Sequence, residues 1–322
     1  DQGREPLRAN LARMAGCSAD ELAINRNTTE ALDTVIFGLR LKAGDEVINT
    51  LQDYPNMVNA WKLRELRDGI VMKRISLDVP TEDDNAIVKA FEDAMSPRTK
   101  VVHITHMINW NGQILPVRKI ADLAHSKGIE VLVDGAHTFG HIEYTIPELG
   151  ADYFGTSLHK WLCAPFGSGM LYVKKDKISN LYPLFPGDHP ESDDIRKFEA
   201  LGTRSFPIEQ AIGNALLFHE SIGGARKEAR LRYLKEYWYE RTANIPKVKH
   251  HTPKGKHSCA IGGFSIDGQK VQETADALFS KYKIHTVGID WENIHCVRVT
   301  PHVYTLLSEL DKLVGAISEI AK

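Results

Sequence analysis

Two residues of this 322-residue chain stand out as able to do chemistry: an aspartate that closes an apolar run and a lysine in a turn. Asp134 follows Val131-Leu132-Val133 in "VLVDGAH", and Lys160 sits between His159 and Trp161 in "SLHKWL". Taken singly, Asp134 reads as a strand-end cap or ion-pair partner and Lys160 as a solvated surface cation. Together they suggest more. A carboxylate delivered by a buried strand needs a donor or a cation, because a lone charge in a low-dielectric setting is costly. A lysine becomes a nucleophile only when it loses its proton, and burial or nearby positive charge promotes that loss. Asn27-Thr28-Thr29 at a helix start, with Ser157 and His159, offers hydroxyl, imidazole and amide donors for a phosphate. An amine for an aldehyde, an acid for a pyridinium nitrogen and a phosphate cup are the requirements of pyridoxal 5′-phosphate.

Short apolar runs alternate with amphipathic helical patterns through the first two thirds of the chain. "GDEVINT", "GIVMKRISL", "TKVVHITHM", "EVLVDGAH", "ADYFGTSLHKW" and "SGMLYVKK" read as strands, and the segments between most of them as helices. That alternation predicts an α/β fold with a mostly parallel central sheet covered on both faces. Such sheets bind ligands at the carboxyl ends of their strands, where Asn109, Asp134, His137, Ser157, His159 and Lys160 fall. Residues 1–223 are expected to form the large domain, with a segment before them possible because the chain opens inside a helical pattern. Residues 224–247, long and charged, read as a connecting helix, and the strand-rich 248–322 as a smaller C-terminal α+β domain.

The formal net charge of −2 argues against nucleic acid or an anionic membrane as partner. No apolar run reaches the roughly 20 residues that span a bilayer. Cys17, Cys163, Cys259 and Cys296 are scattered without a CxxC, so reduced thiols and a cytoplasmic setting are expected. His103/His106 and His137/His141 are spaced suggestively for a metal. In a strand, however, residues i and i+3 point to opposite faces, so His103 and His106 cannot share an ion, and no metal site is expected.

From about Arg26 to Lys175, and in two later segments, the sequence resembles the class V branch of the fold-type I aminotransferase superfamily. "NTTEAL", "DYPN", "THMINWNGQILPV", "VLVDGAH", "SLHKW", "GTR" at 202–204 and "VRVTPHVY" at 297–304 carry the resemblance in the family's order. "DGAH" with "RVTPHVY" is most similar to the isopenicillin-N epimerase-like group. The resemblance implies the pyridoxal-phosphate-dependent transferase fold of the aspartate aminotransferase type. It implies that Lys160 holds the cofactor as a Schiff base and shuttles the Cα proton, and that Asp134 pairs with the pyridine nitrogen. His137 would lie near the phenolic oxygen or ring edge, Asn109 would donate to that oxygen, and Tyr54 would stack on the ring. Thr28, Thr29, Ser157 and His159 match phosphate binders. Thr203 matches a threonine that reaches the phosphate of the neighbouring subunit, which implies a homodimer with shared sites. Arg298 matches the arginine that grips the α-carboxylate of a small amino-acid substrate.

One departure narrows the function. A cysteine desulfurase needs a mobile-loop cysteine, and the stretch before Arg298, "KYKIHTVGIDWENIHCVRV", has none at the expected position. Cys296 shares a strand with Arg298 and reads as a buried structural thiol. Epimerisation or racemisation and transamination are the leading expectations, with cysteine or cystine C–S lysis or a desulfurase-like reaction as the alternative. His106, His137 and Tyr54 are candidates for a second acid or base. A metal-dependent enzyme and a non-catalytic binding protein on the same fold are the rivals of another class.

Overall fold

The computed structural model describes residues 3–322. In chain order the first part comprises α1 (Arg4–Ala15), β1 (Leu22–Asn25), α2 (Thr28–Gly38), β2 (Glu46–Thr50), α3 (Pro55–Asp68), β3 (Val71–Ile75) and α4 (Asp84–Ala94). It continues with β4 (Thr99–Thr105), α5 (Val117–Ser126), β5 (Glu130–Asp134), β6 (Tyr153–Ser157), β7 (Gly169–Val173) and α6 (Phe206–Ile222). The strands form one sheet in the order β1-β7-β6-β5-β4-β2-β3. Pairing is parallel from β3 to β6 and antiparallel at β6–β7 and β7–β1. The mostly parallel sheet expected from the alternation is therefore present.

The apolar runs are buried on both faces. Val102, Ile104, Val131 and Val133 join one core with α1 and α5, while Val101, Leu132 and Tyr153 join another with Ala31 and Val35 of α2 and Trp61 of α3. Such two-sided burial suits strands without polar alternation. The register sets Thr105, Asp134 and Gly155 side by side, so β4 and β5 end at one level and β6 runs two residues further to Ser157.

The second part comprises α7 (Gly224–Thr242), β8 (Val248–His250), β9 (Gly262–Ile266), α8 (Val271–Tyr282), β10 (Val287–Trp291), β11 (Ile294–Val299) and α9 (Leu307–Ile320). Its sheet is antiparallel, ordered β10-β11-β9-β8. Leu234 and Trp238 of α7 pack with Phe264, Val297 and Leu313 in its core, so α7 buries one face there. Ile289, Ile294 and Cys296 turn toward the large sheet and join its core. That contact fixes β11, and with it Arg298, over the strand ends. Among the described residues no helix is long and apolar enough to cross a membrane.

Candidate active site

A cavity of about 440 Å³ opens at the carboxyl ends of β4, β5 and β6. Lys160 reaches it from the turn after β6. Its Nζ lies 3.1 Å from Nε2 of His137, whose Nδ1 accepts a hydrogen bond from Trp161 Nε1 at 3.2 Å. Burial lowers the pKa of Lys160. Asp134 opposes that shift and Arg298 adds to it. His137 is held well below its ordinary value, first by burial and then by the cations Lys160 and Arg298.

Asp134 is buried at the end of β5, where its Oδ1 accepts the Ala136 amide at 2.8 Å. Burial raises its pKa, and Asp53 raises it further. A fixed acid in this setting would gain a partner from a cationic ring nitrogen. Asp53, adjacent to Tyr54, was not read from the sequence as part of the site. It is buried and accepts from Thr50 N and Thr50 Oγ1 at 2.9 Å and from Thr105 Oγ1 at 2.8 Å. Burial pushes its pKa up to about 6. The signal available was the one used for Asp134, a carboxylate just beyond an apolar strand.

Opposite the acid, α2 begins at the cavity wall. Asn27 caps it by accepting the Glu30 amide at 2.9 Å. Thr28 donates its amide to Ser157 Oγ at 2.9 Å, and the two hydroxyls lie 2.7 Å apart. Thr29 and His159 complete this corner, and the buried Nδ1 of His159 has no partner. Hydroxyls, a helix N-terminus and an unsatisfied imidazole fit a phosphate. Gly169 keeps β7 close here, since a Cβ on it would lie 2.6 Å from Asn27 N.

Arg298 enters from β11. It donates from Nη1 to the Asn109 carbonyl at 2.9 Å, while its buried Nε has no partner. Tyr54, at the start of α3, stacks on Trp110 with centroids 6.4 Å apart, and both line the cavity with Asn109. Ten of the eleven residues proposed from the sequence thus share one cavity. Thr203 does not. It lines a separate cleft with Arg204 and Ser205.

His106, a candidate second acid or base, does not line the cavity. It lies edge-on to Tyr144 at 5.0 Å, while His103 faces the other side of the sheet beneath Trp61. Cys296 is fully buried and its thiol is pushed up to about 12 by burial. Among the described residues no three His, Cys, Asp or Glu side chains gather as a metal ligand set.

Comparison with known proteins places the chain in a family. The model of the family described as "Aminotransferase class-V" matches residues 2–300. Isopenicillin N epimerase of Amycolatopsis lactamdurans is 28% identical over 98% of this chain and 84% of its own length. A probable cysteine desulfurase of Mycobacterium leprae is 34% identical over 85% of this chain and 46% of its own length. The apo structure of a cysteine desulfurase from Thermococcus onnurineus superposes with a TM-score of 0.87 at 25% identity, covering 99% of this chain and 84% of that one.

Proposed function

The chain belongs to the class-V aminotransferase family of enzymes, and from that membership we propose that it acts at the α-carbon of an amino acid with pyridoxal 5′-phosphate as cofactor. The reaction is epimerisation or racemisation, or transamination. The observation that carries this reading is the unpartnered Nε of Arg298 in the same cavity as Lys160 and Asp134, a waiting place for a substrate carboxylate.

When bound, the cofactor supplies an aldehyde that condenses with amines and a ring that takes up the electron pair left when a Cα proton departs. Lys160 would hold the group through Nζ, and its amine is placed to remove and return a proton at the substrate's Cα. Asp134 keeps the ring nitrogen cationic. Thr28, Thr29, Ser157 and His159 would hold the phosphate, Asn109 and His137 would steady the ring, and Tyr54 would stack on it. Arg298 anchors the substrate carboxylate and so presents the Cα–H bond to Lys160. Thr203 serves the site of a second copy in a homodimer.

Desulfuration is disfavoured because it needs a travelling thiolate, Cys296 is a buried strand residue, and no cysteine lines the cavity. C–S lysis shares the first proton transfer and needs no such thiol. A panel of amino acids in deuterated water separates these outcomes by following deuterium at Cα, keto acid and sulfide together. Cα exchange with inversion, or keto acid formed without release of sulfur, supports the reading. Sulfide from cysteine or cystine alone replaces it with C–S lysis. No exchange with any amino acid, and no cofactor trapped on Lys160 by borohydride, overturns it.

A further inference from the structure

The hydrogen-bond directions around Trp161 decide which nitrogen of His137 carries the hydrogen. An indole N–H can only donate. His137 Nδ1, 3.2 Å from Trp161 Nε1, is therefore the acceptor nitrogen. Burial and neighbouring cations keep the ring neutral, so its single hydrogen sits on Nε2. Nε2 in turn faces Lys160 Nζ at 3.1 Å. Two donors cannot share a hydrogen bond. The contact is satisfied only when Lys160 offers its lone pair, that is, as a free amine.

The indole is itself clamped. It stacks on His141 with centroids 3.6 Å apart and planes at 17°, and on His302 at 5.3 Å and 13°. His141 Nε2 accepts the Ala260 amide at 3.0 Å, which leaves Nδ1–H to donate to the His137 carbonyl at 2.7 Å. His302 Nδ1 accepts the Val303 amide at 2.9 Å, leaving Nε2–H toward Cys163 Sγ at 3.5 Å. Backbone amides thus fix both flanking tautomers, and the two rings fix the plane of the indole. Lys227, fully buried, ties the Trp161 carbonyl from α7.

We infer that Trp161 is a tautomer lock: its indole N–H holds the hydrogen of His137 on Nε2, and that hydrogen presents Lys160 as a free amine. The inference rests on Lys160 being the residue that holds the cofactor, and it makes Trp161 a positioning residue for that step. The other charges facing Lys160 are Asp134 on β5, which favours the ammonium, Arg298 on β11, which opposes it, and His159 beside it in the turn. All three are unchanged when Trp161 is replaced, so they do not mask the effect.

Trp161→Phe keeps an aromatic ring between His141 and His302 and removes the N–H. His137 can then move its hydrogen to Nδ1 and offer Nε2 to an ammonium. The experiment measures the apparent pKa of Lys160 in the cofactor-free full chain, from the pH dependence of its reductive methylation followed by peptide mass spectrometry. Covalent capture of pyridoxal 5′-phosphate is followed over the same pH range. Trp161→Phe is expected to raise the apparent pKa by about one unit, so that capture slows by up to about tenfold at pH values below the parent's apparent pKa and recovers at higher pH. In a His137→Phe background the same replacement should shift nothing. An unchanged pKa in folded Trp161→Phe, or an equal shift in both backgrounds, overturns the lock. Should the variant not fold, nitrogen-15 shifts of His137 in the unaltered protein decide the matter, and hydrogen on Nδ1 overturns it. Borohydride trapping at a residue other than Lys160 would instead overturn the assignment beneath it.

Discussion

Arg298 is pinned to the main chain of Asn109 by one arm of its guanidinium, Nη1 to carbonyl oxygen at 2.9 Å, and its buried Nε points to no acceptor. The pin orients the fork, and the bare N–H leaves a place for an anion. Burial lowers the arginine's pKa, so a carboxylate that entered would relieve a desolvated charge as well as satisfy a donor.

Arg298→Lys keeps the charge and removes the planar fork. Losing one or two charge-assisted hydrogen bonds at about 1.5 to 3 kcal/mol each should raise KM for the preferred amino acid at least tenfold. The effect on kcat should be smaller, because the carboxylate is held alike before and during proton removal. Steady-state kinetics of the two proteins tests this, and an unchanged KM removes Arg298 from the substrate site.

Gly169→Ala addresses the phosphate corner. The added Cβ would sit 2.6 Å from Asn27 N and 2.7 Å from its Cα, so main chain rather than a flexible side chain must yield. Overpacking of this kind costs about 1 to 3 kcal/mol and would tilt the start of α2 away from Ser157. Affinity for pyridoxal 5′-phosphate should fall about tenfold or more, while saturating cofactor still attaches at Lys160. Equilibrium titration of the cofactor-free protein reads the first effect and borohydride trapping the second.

The chemistry of the site was legible in residue types because Asp134, Lys160 and Arg298 each break an otherwise apolar or short segment. The sheet was legible because its strands are apolar on both faces. Other features depend on distant packing. The role of Trp161 is set by His141 and His302, and the latter lies 141 positions along the chain, so no local pattern announces it. α6 escaped notice as a helix because Leu217 and Phe218 face outward and blur its amphipathic stripe. β8 is three residues long and only partly buried, too short for a strand pattern. Thr203 is a turn residue whose partner, if it serves a second copy, is not in its own chain.

Cys296→Ala tests the reading that disfavours desulfuration. The thiol is fully buried, and a Cβ on Gly263 would lie 2.7 Å from its sulfur, so the side chain fills a tight internal site. Removing the sulfur should cost about 1 to 2 kcal/mol of stability through the small cavity left behind. Activity at Cα should stay within about twofold once the protein is held well below its melting temperature. Loss of turnover in a folded variant would return sulfur chemistry to the discussion.

Asp53 carries a pH signature in the opposite sense from most acids. Its pKa in the fold is about 6 against an ordinary value of 3.8, because burial outweighs the donors Thr50 and Thr105. The native state therefore keeps a proton that the unfolded chain has released. The stability this proton contributes is fully present below pH 4 and is lost as pH rises through about 6, at most about 3 kcal/mol for a two-unit shift. Asp53→Asn holds a neutral group at every pH, and the two threonine hydroxyls can rotate to meet its amide. The variant should gain stability relative to the parent as pH rises from 4 to 7, read by urea unfolding at several pH values. A difference that does not change with pH would mean that Asp53 meets no net penalty for its charge. The same substitution removes a like charge acting on Asp134, whose own pKa should fall. Asp53 carries that charge only above about pH 6, so any gain in cofactor affinity in Asp53→Asn should appear there and vanish at lower pH, where the parent's Asp53 is already neutral.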